Sequence, residues 1–222
     1  MKWIVSFLMI ALFFVTISTQ SNAAEKKNEA NVRVIHASPD APSVDIYIDG
    51  KAAFKGAEYK DVTNYAPLSP GEKKVQVFAS SAKGEGKPVL EQKVTVEAGK
   101  SYSIVAIGKL NNVSLLVLED QKGSGDKASL RAIHASPDAP PVDIAVKDGD
   151  VLLKNLAFTQ ASEYQSLSPG SYNLEVRATG SDQAVLDLPN LPIESGVNYT
   201  AIAIGFLEGD PSLNVILLKD GK

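Results

Sequence analysis

Apolar and polar residues alternate with a period of two along much of the chain. The alternation is clear at Val44–Ile48 and again at Val75–Ala79. Turn sequences separate such runs, among them Asp49-Gly50, which is typical of a hairpin, and the Ser-Pro-Gly turn at residues 69–71. A sustained helical period is missing after the amino-terminal segment. The pattern predicts an all-β protein built as a two-sheet antiparallel sandwich of the immunoglobulin or transthyretin type.

The chain contains an internal duplication. Val32–Ile46 reads VRVIHASPDAPSVDI and Leu130–Ile144 reads LRAIHASPDAPPVDI, with 12 of 15 positions identical. Further blocks follow in the same order in both copies: YAPLSPG and YQSLSPG, YSIVAIG and YTAIAIG, LLVLED and VILLKD. Each copy spans about 90 residues, the size of an independent domain, with about seven or eight expected strands. We therefore expect two tandem sandwich domains, at residues 24–120 and 128–222.

A polar, glycine-rich segment separates the two copies. Residues 121–127 read QKGSGDK, which is typical of a short flexible linker. Two rigid sandwiches on such a linker would make a spacer or a bivalent binder, in which loops on the stable scaffold carry recognition.

The amino terminus has the pattern of a secretory signal peptide. Lys2 precedes an almost uninterrupted apolar run over residues 3–17, and Ser21-Asn22-Ala23 places small residues where a signal peptidase reads them. The alternative is a retained membrane anchor, but the run is shorter than the roughly 18 apolar residues of a spanning helix. We expect residues 1–23 to be removed, leaving a secreted chain with no membrane span.

The composition limits which partners the chain could bind and which interactions could stabilise its domains. The chain has no Cys, so neither a lipid-modified cysteine nor a disulfide is available, and packing must hold the domains together. Lys and Arg number 22 against 26 Asp and Glu, a formal net charge of −4. This mild acidity argues against a nucleic-acid partner, which would require a basic face.

The duplicated motif supplies the candidate binding residues. These have the same types in both copies: His36, Ser38, Asp40 and Asp45 in the first, and His134, Ser136, Asp138 and Asp143 in the second. One interpretation is purely structural: the imidazole forms a hydrogen bond to the turn that follows it, and the Ser and Asp side chains cap turns. The alternative is a pH-sensitive or metal-binding position.

A metal site has little support in the spacing. Zinc needs roughly three or four ligands, and each copy has one His. Calcium needs about six to eight oxygens. Alternation places Asp45 on the solvent face of its strand, and Asp49 lies in the hairpin at the far end. The carboxylates of Asp40, Asp45 and Asp49 should therefore not converge on one calcium ion. The equivalent carboxylates of the second copy, Asp138, Asp143 and Asp148, should not converge either. We predict no metal and no cofactor.

Catalytic signatures are missing as well. His36 and Ser38 would have Cα atoms roughly 6–7 Å apart on an extended chain, which does not by itself give a nucleophile and base. The chain has no Gly-x-Ser-x-Gly elbow, no His-Glu-x-x-His and no Cys nucleophile. We expect a protein that is not an enzyme.

Two copies of His-Ala-Ser-Pro-Asp-Ala-Pro, each followed by Val-Asp-Ile and later by Leu-Ser-Pro-Gly, carry a family likeness. The chain resembles a bacterial domain-of-unknown-function family of exported and cell-surface proteins. The resemblance implies sandwich domains and no established activity.

The function indicated is a secreted or envelope-associated interaction or structural module without catalysis, with an unknown extracellular or cell-wall ligand. Its candidate surfaces are the loops at residues 38–43 and 136–141. The competing hypothesis is a secreted metal-dependent hydrolase that uses His36 and His134 with neighbouring Asp residues.

Overall fold

The computed structural model describes residues 28–221, which fold into sixteen strands and two short 3-10 turns at Ser80–Ala82 and Leu110–Asn112. The signal peptide predicted at residues 1–23 lies outside the described residues. No helix within residues 28–221 is long and apolar enough to cross a membrane.

The first domain contains β1 (Ala30–His36), β2 (Val44–Ile48), β3 (Lys51–Ala57), β4 (Ala66–Leu68), β5 (Gly71–Ala79), β6 (Leu90–Val96), β7 (Ser101–Ile107) and β8 (Ser114–Asp120). The second contains β9 (Ala128–His134), β10 (Val142–Val146), β11 (Val151–Leu156), β12 (Gln165–Leu167), β13 (Gly170–Ala178), β14 (Ala184–Ile193), β15 (Asn198–Ile204) and β16 (Asn214–Lys219).

Each domain is a sandwich of two four-stranded sheets with the same strand order. The sheets of the first domain run β4-β1-β7-β8 and β3-β2-β5-β6, and those of the second run β12-β9-β15-β16 and β11-β10-β13-β14. The predicted pair of tandem β-sandwiches is confirmed. One pairing in each domain departs from the antiparallel pattern, because β1 pairs in parallel with β7 and β9 with β15.

The two domains pack together through one sheet of each, which we call the inner sheets (β4-β1-β7-β8 and β12-β9-β15-β16). Side chains alternate across these strands, so Val34 lies in the first domain's own core while its neighbour Ile35 lies in a cluster shared between the domains. This interdomain cluster contains Ile35, Val105, Ile107, Ile133, Ile202 and Ile204, all essentially inaccessible to solvent. Burial of each contributes about 1.5–3 kcal/mol. The molecule is therefore a stack of four sheets.

Strands β7 and β15 show why the sequence adopts this arrangement. Every residue of Ser101–Ile107 and of Asn198–Ile204 is buried. A strand covered on one face alternates apolar and polar residues, whereas a strand covered on both faces is apolar almost throughout. The runs YSIVAIG and YTAIAIG are of the second kind.

Charged side chains cross the interface reciprocally at one end of the inner sheets. Arg33 of β1 donates through Nη2 to the carboxylate of Asp220. In the equivalent contact Arg131 of β9 donates through Nη2 to Oδ1 of Asp120, at 2.5 Å. Each guanidinium also donates through Nη1 to a backbone carbonyl of the opposite domain, Lys219 for Arg33 and Glu119 for Arg131, both at 2.9 Å. All four charged side chains are at most 5% exposed.

Hydroxyl groups complete the coordination of both carboxylates. Asp120 accepts from Tyr65 Oη at 2.6 Å and from Ser103 Oγ at 2.7 Å. Asp220 accepts in the same way from Tyr164 Oη at 2.8 Å and from Thr200 Oγ1 at 2.5 Å. We call these six residues, together with Arg33 and Arg131, the Arg–Asp network.

The tyrosines of the network also stack against the arginines. The guanidinium of Arg33 lies 4.8 Å from the ring centroid of Tyr65, and that of Arg131 lies 4.6 Å from the ring centroid of Tyr164. Burial raises the pKa of both Tyr65 and Tyr164, which keeps their hydroxyls protonated as donors. Burial also raises the pKa of Asp220. The hydrogen bonds that its carboxylate accepts from Thr200 and Tyr164 act in the opposite direction but do not outweigh the effect of burial.

The segment between the domains is held to the second domain. The backbone carbonyl of Gln121 accepts from Asn198 Nδ2 at 3.0 Å, and Ser195 Oγ donates to the carbonyl of Asp126 at 3.1 Å. This differs from the flexible connection that the sequence indicated for residues 121–127. A glycine-rich composition indicates that a segment is flexible when nothing binds it. Here the shared core and these hydrogen bonds fix the position of both ends of the segment.

Replacing Arg131 with Met should destabilise the protein by about 3–5 kcal/mol, because it keeps most of the side-chain volume but removes the closest cation from the buried Asp120 carboxylate. Equilibrium unfolding in urea measures the change. The matched control is Lys93→Met, which removes an exposed ion pair with Glu72 (2.7 Å) and should change the stability little, because solvent screens exposed ion pairs. Equal small losses in both variants would contradict a stabilising role for the network.

Candidate functional site at the motif ends

The two histidines hold the motif loops in place. His36 ends β1 and its Nε2 lies 3.2 Å from the backbone oxygen of Pro42; His134 ends β9 and its Nε2 lies 3.0 Å from that of Pro140. A carbonyl oxygen only accepts, so Nε2 carries the proton and donates in both rings. The imidazole is therefore bonded to the turn that follows it, which is the structural role considered from the sequence. Burial lowers the pKa of both histidines, so the rings are neutral near pH 7.

The next motif residues join each loop to the chain that follows β7 or β15. Ser38 Oγ donates to the carbonyl of Gly108 at 2.6 Å, and Oδ1 of Asp40 accepts from the backbone N–H of Leu110 at 2.7 Å. In the second domain Oδ1 of Asp138 accepts from Leu207 N–H at 2.8 Å.

The serines differ between the domains, because Ser136 Oγ instead donates to Asp138 Oδ1, at 3.3 Å. Desolvation acts to raise the pKa of Asp138, but the hydrogen bonds from Leu207, Glu208 and Ser136 hold it below its usual range. These carboxylates act as caps for backbone N–H groups.

The prediction that Asp45 faces solvent is wrong. Its side chain is buried, and Oδ1 accepts from the backbone N–H of Gly56 and from Ser80 Oγ, both at 2.8 Å. The reason is a β-bulge: the register shifts between Val44 and Ile46, so that two residues of β3 lie opposite Asp45 and Gly56 has no backbone partner in the ladder. The hydrogen bond from Gly56 lowers the pKa of Asp45.

Asp143 has the same role in the second domain. It is half-buried and accepts from the backbone N–H of Asn155 at 2.7 Å and from Thr179 Oγ1 at 2.9 Å. Here too the register shifts opposite the carboxylate, in the pairing of β10 with β11. Asn155 at this bulge has a positive φ of 52°.

The motif carboxylates do not come together. Asp40 binds the Leu110 N–H, Asp45 binds the bulge, and Asp49 at the hairpin accepts from the backbone N–H of Lys74 at 2.9 Å. His36 and Ser38 bind different backbone carbonyls rather than each other. Within residues 28–221 no group of three or more His, Cys, Asp or Glu side chains is placed to hold a metal ion.

A cavity opens between the two sheets at the motif end of the first domain. Its volume is about 230 Å³, and its lining includes His36, Pro42, Val44, Val77 and Leu110. The sequence analysis missed this feature, because a gap between sheets depends on side-chain packing across the sandwich.

Exposed apolar side chains mark both motif ends. The exposed large apolar residues of the described chain are Val89 (47%), Leu110 (43%), Val185 (37%) and Leu207 (37%). They form equivalent pairs: Val89 and Val185 precede the residues that pair with Val77 and Val176, and Leu110 and Leu207 donate N–H groups to Asp40 and Asp138.

The two motif ends adjoin. Lys109 Nζ lies 5.4 Å from the ring centroid of Phe206, and these residues immediately precede Leu110 and Leu207. We call the surface formed by Val89, Lys109, Leu110, Val185, Phe206 and Leu207 the motif face. Its residues lie outside the loops at 38–43 and 136–141 that the sequence analysis favoured, although those loops hold them in position.

These features define a tandem β-sandwich protein with a duplicated loop motif. The chain belongs to the family described as domain of unknown function DUF4397, whose model matches residues 30–145 and 128–222. None of the curated proteins matches the chain.

Two solved structures show weak similarity to this chain. CBMbc (family CBM26) from Eubacterium rectale Amy13K, solved in complex with maltoheptaose, is 8% identical with a TM-score of 0.27, covering 86% of this chain and 98% of its own. A candidate cell adhesion protein from Parabacteroides distasonis is 11% identical with a TM-score of 0.24, covering 86% and 97%. Similarities this low carry no functional argument.

Stability should fall as the pH is lowered below about 6.5. The unfolded chain takes up a proton on each His near that pH, whereas the folded rings resist protonation because burial lowers their pKa. One proton per His bounds the slope at about 1.4 kcal/mol for each pH unit. Urea unfolding of the wild type between pH 7.5 and 5.5 measures it.

The control is the His36→Gln, His134→Gln double variant, which removes every imidazole from the chain while keeping a nitrogen donor for the turn carbonyls. Its stability should change less over the same pH range. Identical pH slopes in the two proteins would show that the buried histidines do not govern the acid sensitivity.

Proposed function

We propose that the mature chain is an exported, non-catalytic binding module, and that the motif face contacts a cell-wall ligand. The observation that carries the proposal is the placement of all four exposed large apolar side chains of residues 28–221 at the two adjoining motif ends. Apolar side chains grouped on a surface favour a contact that removes them from water.

The rigid scaffold beneath this face supports the proposal. The Arg–Asp network and the interdomain cluster hold the two sandwiches against each other, so the ligand meets one preformed surface instead of two independent modules. Preformed surfaces lose less conformational entropy on binding. The binding residues proposed from the sequence, His36, Ser38, Asp40 and Asp45 with His134, Ser136, Asp138 and Asp143, then act by shaping the loops that carry the face.

The polar groups of the motif support binding over hydrolysis. The Nε2 proton of His36, the hydroxyl of Ser38 and the carboxylates of Asp40 and Asp45 are each engaged with backbone or a neighbouring side chain. A general base and a nucleophile need to reach one another and the substrate. The hydrolase alternative would require these bonds to be exchanged for catalytic ones.

Sedimentation with purified peptidoglycan sacculi tests the proposal. We expect the mature protein to co-sediment, and the Leu110→Ser, Leu207→Ser double variant to bind at least about tenfold more weakly, a change of about 1.4 kcal/mol. Ala53→Ser, on the exposed edge strand β3, is the control and should bind as the wild type does.

Three results would contradict the proposal. The first is no binding of the wild type to sacculi, and the second is unchanged binding by the double variant. The third is stoichiometric metal in the purified protein together with hydrolytic turnover that is lost in His134→Ala, which would favour the hydrolase.

A further inference from the structure

The cavity at the motif end of the first domain exposes only apolar surface. Most of its lining residues are aliphatic, among them Val44, Val77 and Ala106. Ser38 and His36 also line it, but none of their polar atoms lies on its wall. Ser38 Oγ and His36 Nε2 bond backbone carbonyls, and the other ring nitrogen of His36 is buried within the protein. The cavity therefore offers no hydrogen-bond partner to a molecule inside it.

A cavity of this kind favours hydrocarbon over water. A water molecule needs about two to four polar partners to occupy a buried site, so an apolar cavity stays dry. A hydrocarbon group has no hydrogen bonds to lose and removes its own apolar surface from water when it enters. Any polar group of the same ligand would have to remain outside, because its desolvation would not be compensated.

The size and the mouth of the cavity define the hydrocarbon further. Its volume is about 230 Å³. An apolar cavity of about 150 Å³ holds benzene, so in proportion this one holds a group of about nine carbon atoms. A leucine side chain would leave more than half of it empty. Val89 and Leu110 line the cavity and are 47% and 43% exposed, so they stand at its mouth. A chain that enters there can keep its polar end in water.

The second domain is packed more closely at the equivalent place. Ala106 pairs with His36 in the first domain, and Ala203 pairs with His134 in the second. Ala106 lines the cavity of about 230 Å³, whereas the void that Ala203 lines has a volume of only about 20 Å³. The sandwich and the motif therefore do not by themselves require an open space, and the first domain differs from the second in having one.

We propose that this cavity binds the hydrocarbon end of an amphiphile, an acyl or alkyl chain that enters between Val89 and Leu110 while its polar end stays in water. The inference goes beyond the proposed function. It assigns a lipid-like ligand to the interior beneath the motif face, and it stands whether or not that face contacts sacculi.

A series of 1-alcohols from butanol to dodecanol, titrated into a protein of residues 24–222 and followed by amide chemical shifts in NMR, tests the proposal. Each additional methylene should tighten binding about fourfold, as expected for its transfer from water. The increments should end at about nine carbons, where the cavity is full. The shifts should appear at Val44, Val77 and Ala106. Octyl glucoside below its critical micelle concentration should bind about as tightly as 1-octanol, because its sugar stays outside.

Two matched variants locate the site. Ala106 and Ala203 are both buried, at 5% and 7% exposure. Ala106→Val should end the increments about two carbons earlier and weaken the binding of 1-nonanol about tenfold. Ala203→Val should leave the binding unchanged. In thermal unfolding without ligand, Ala203→Val should lower the melting temperature, because the small void cannot hold the added methyl groups, whereas Ala106→Val should not.

Four results would overturn the proposal: no binding of any alcohol, an affinity that does not depend on chain length or that still rises at dodecanol, much weaker binding of octyl glucoside than of 1-octanol, and equal effects of the two variants on binding. Tighter binding of acetyl-Gly-Phe-Gly-amide than of 1-nonanol would also overturn it, in favour of a protein side chain. Sacculus binding is measured separately. Its loss with intact alcohol binding would count against the proposed function alone, and the reverse against the cavity alone.

Discussion

The reciprocal burial of two arginines and two aspartates between the sandwiches is the constraint on which the rest of the structure depends. The apolar cluster around Ile35 and Ile133 supplies free energy for packing the inner sheets, but apolar surfaces alone would tolerate several orientations. A buried charge is costly unless it meets an opposite charge and further hydrogen bonds. Arg33 reaches Asp220 and Arg131 reaches Asp120 in the same arrangement, so the network selects one orientation of the domains.

The orientation selected by the network also determines where the motif face forms. Because equivalent ends of the two inner sheets meet at the network, the opposite ends also come together, where Lys109 contacts Phe206. Duplication of the domain thereby yields one composite face. The motif loops determine the local shape of that face through short bonds from the His, Ser and Asp side chains to backbone groups. Interdomain packing therefore determines where the two motif ends lie, and the loop hydrogen bonds determine their local shape.

Much of the fold could be predicted from the pattern of apolar and polar residues and from the internal repeat. The features that the sequence analysis misplaced or missed have identifiable physical causes. The repeated blocks and the period of two predicted two sandwiches, because both signals are local. Asp45 was misplaced because a bulge in β3 is set by pairing across the sheet. The interdomain contact was missed although its signals were present. These were the mainly apolar run of β7, and Arg33 and Arg131 at the same position among the apolar residues of two equivalent strands. The cavity had no signal in the sequence, since it depends on packing between layers.

Backbone ¹⁵N relaxation in a protein of residues 24–222 tests most directly whether the two sandwiches form one rigid body. The account predicts a single rotational correlation time for strands of both domains, as for one body of that size, with no increase in fast motion at residues 121–127. Separate and shorter correlation times for the two domains, each that of a body about half the size, would contradict it. In that case the Arg–Asp network would not fix the domains in solution, and the motif face would not exist as one surface.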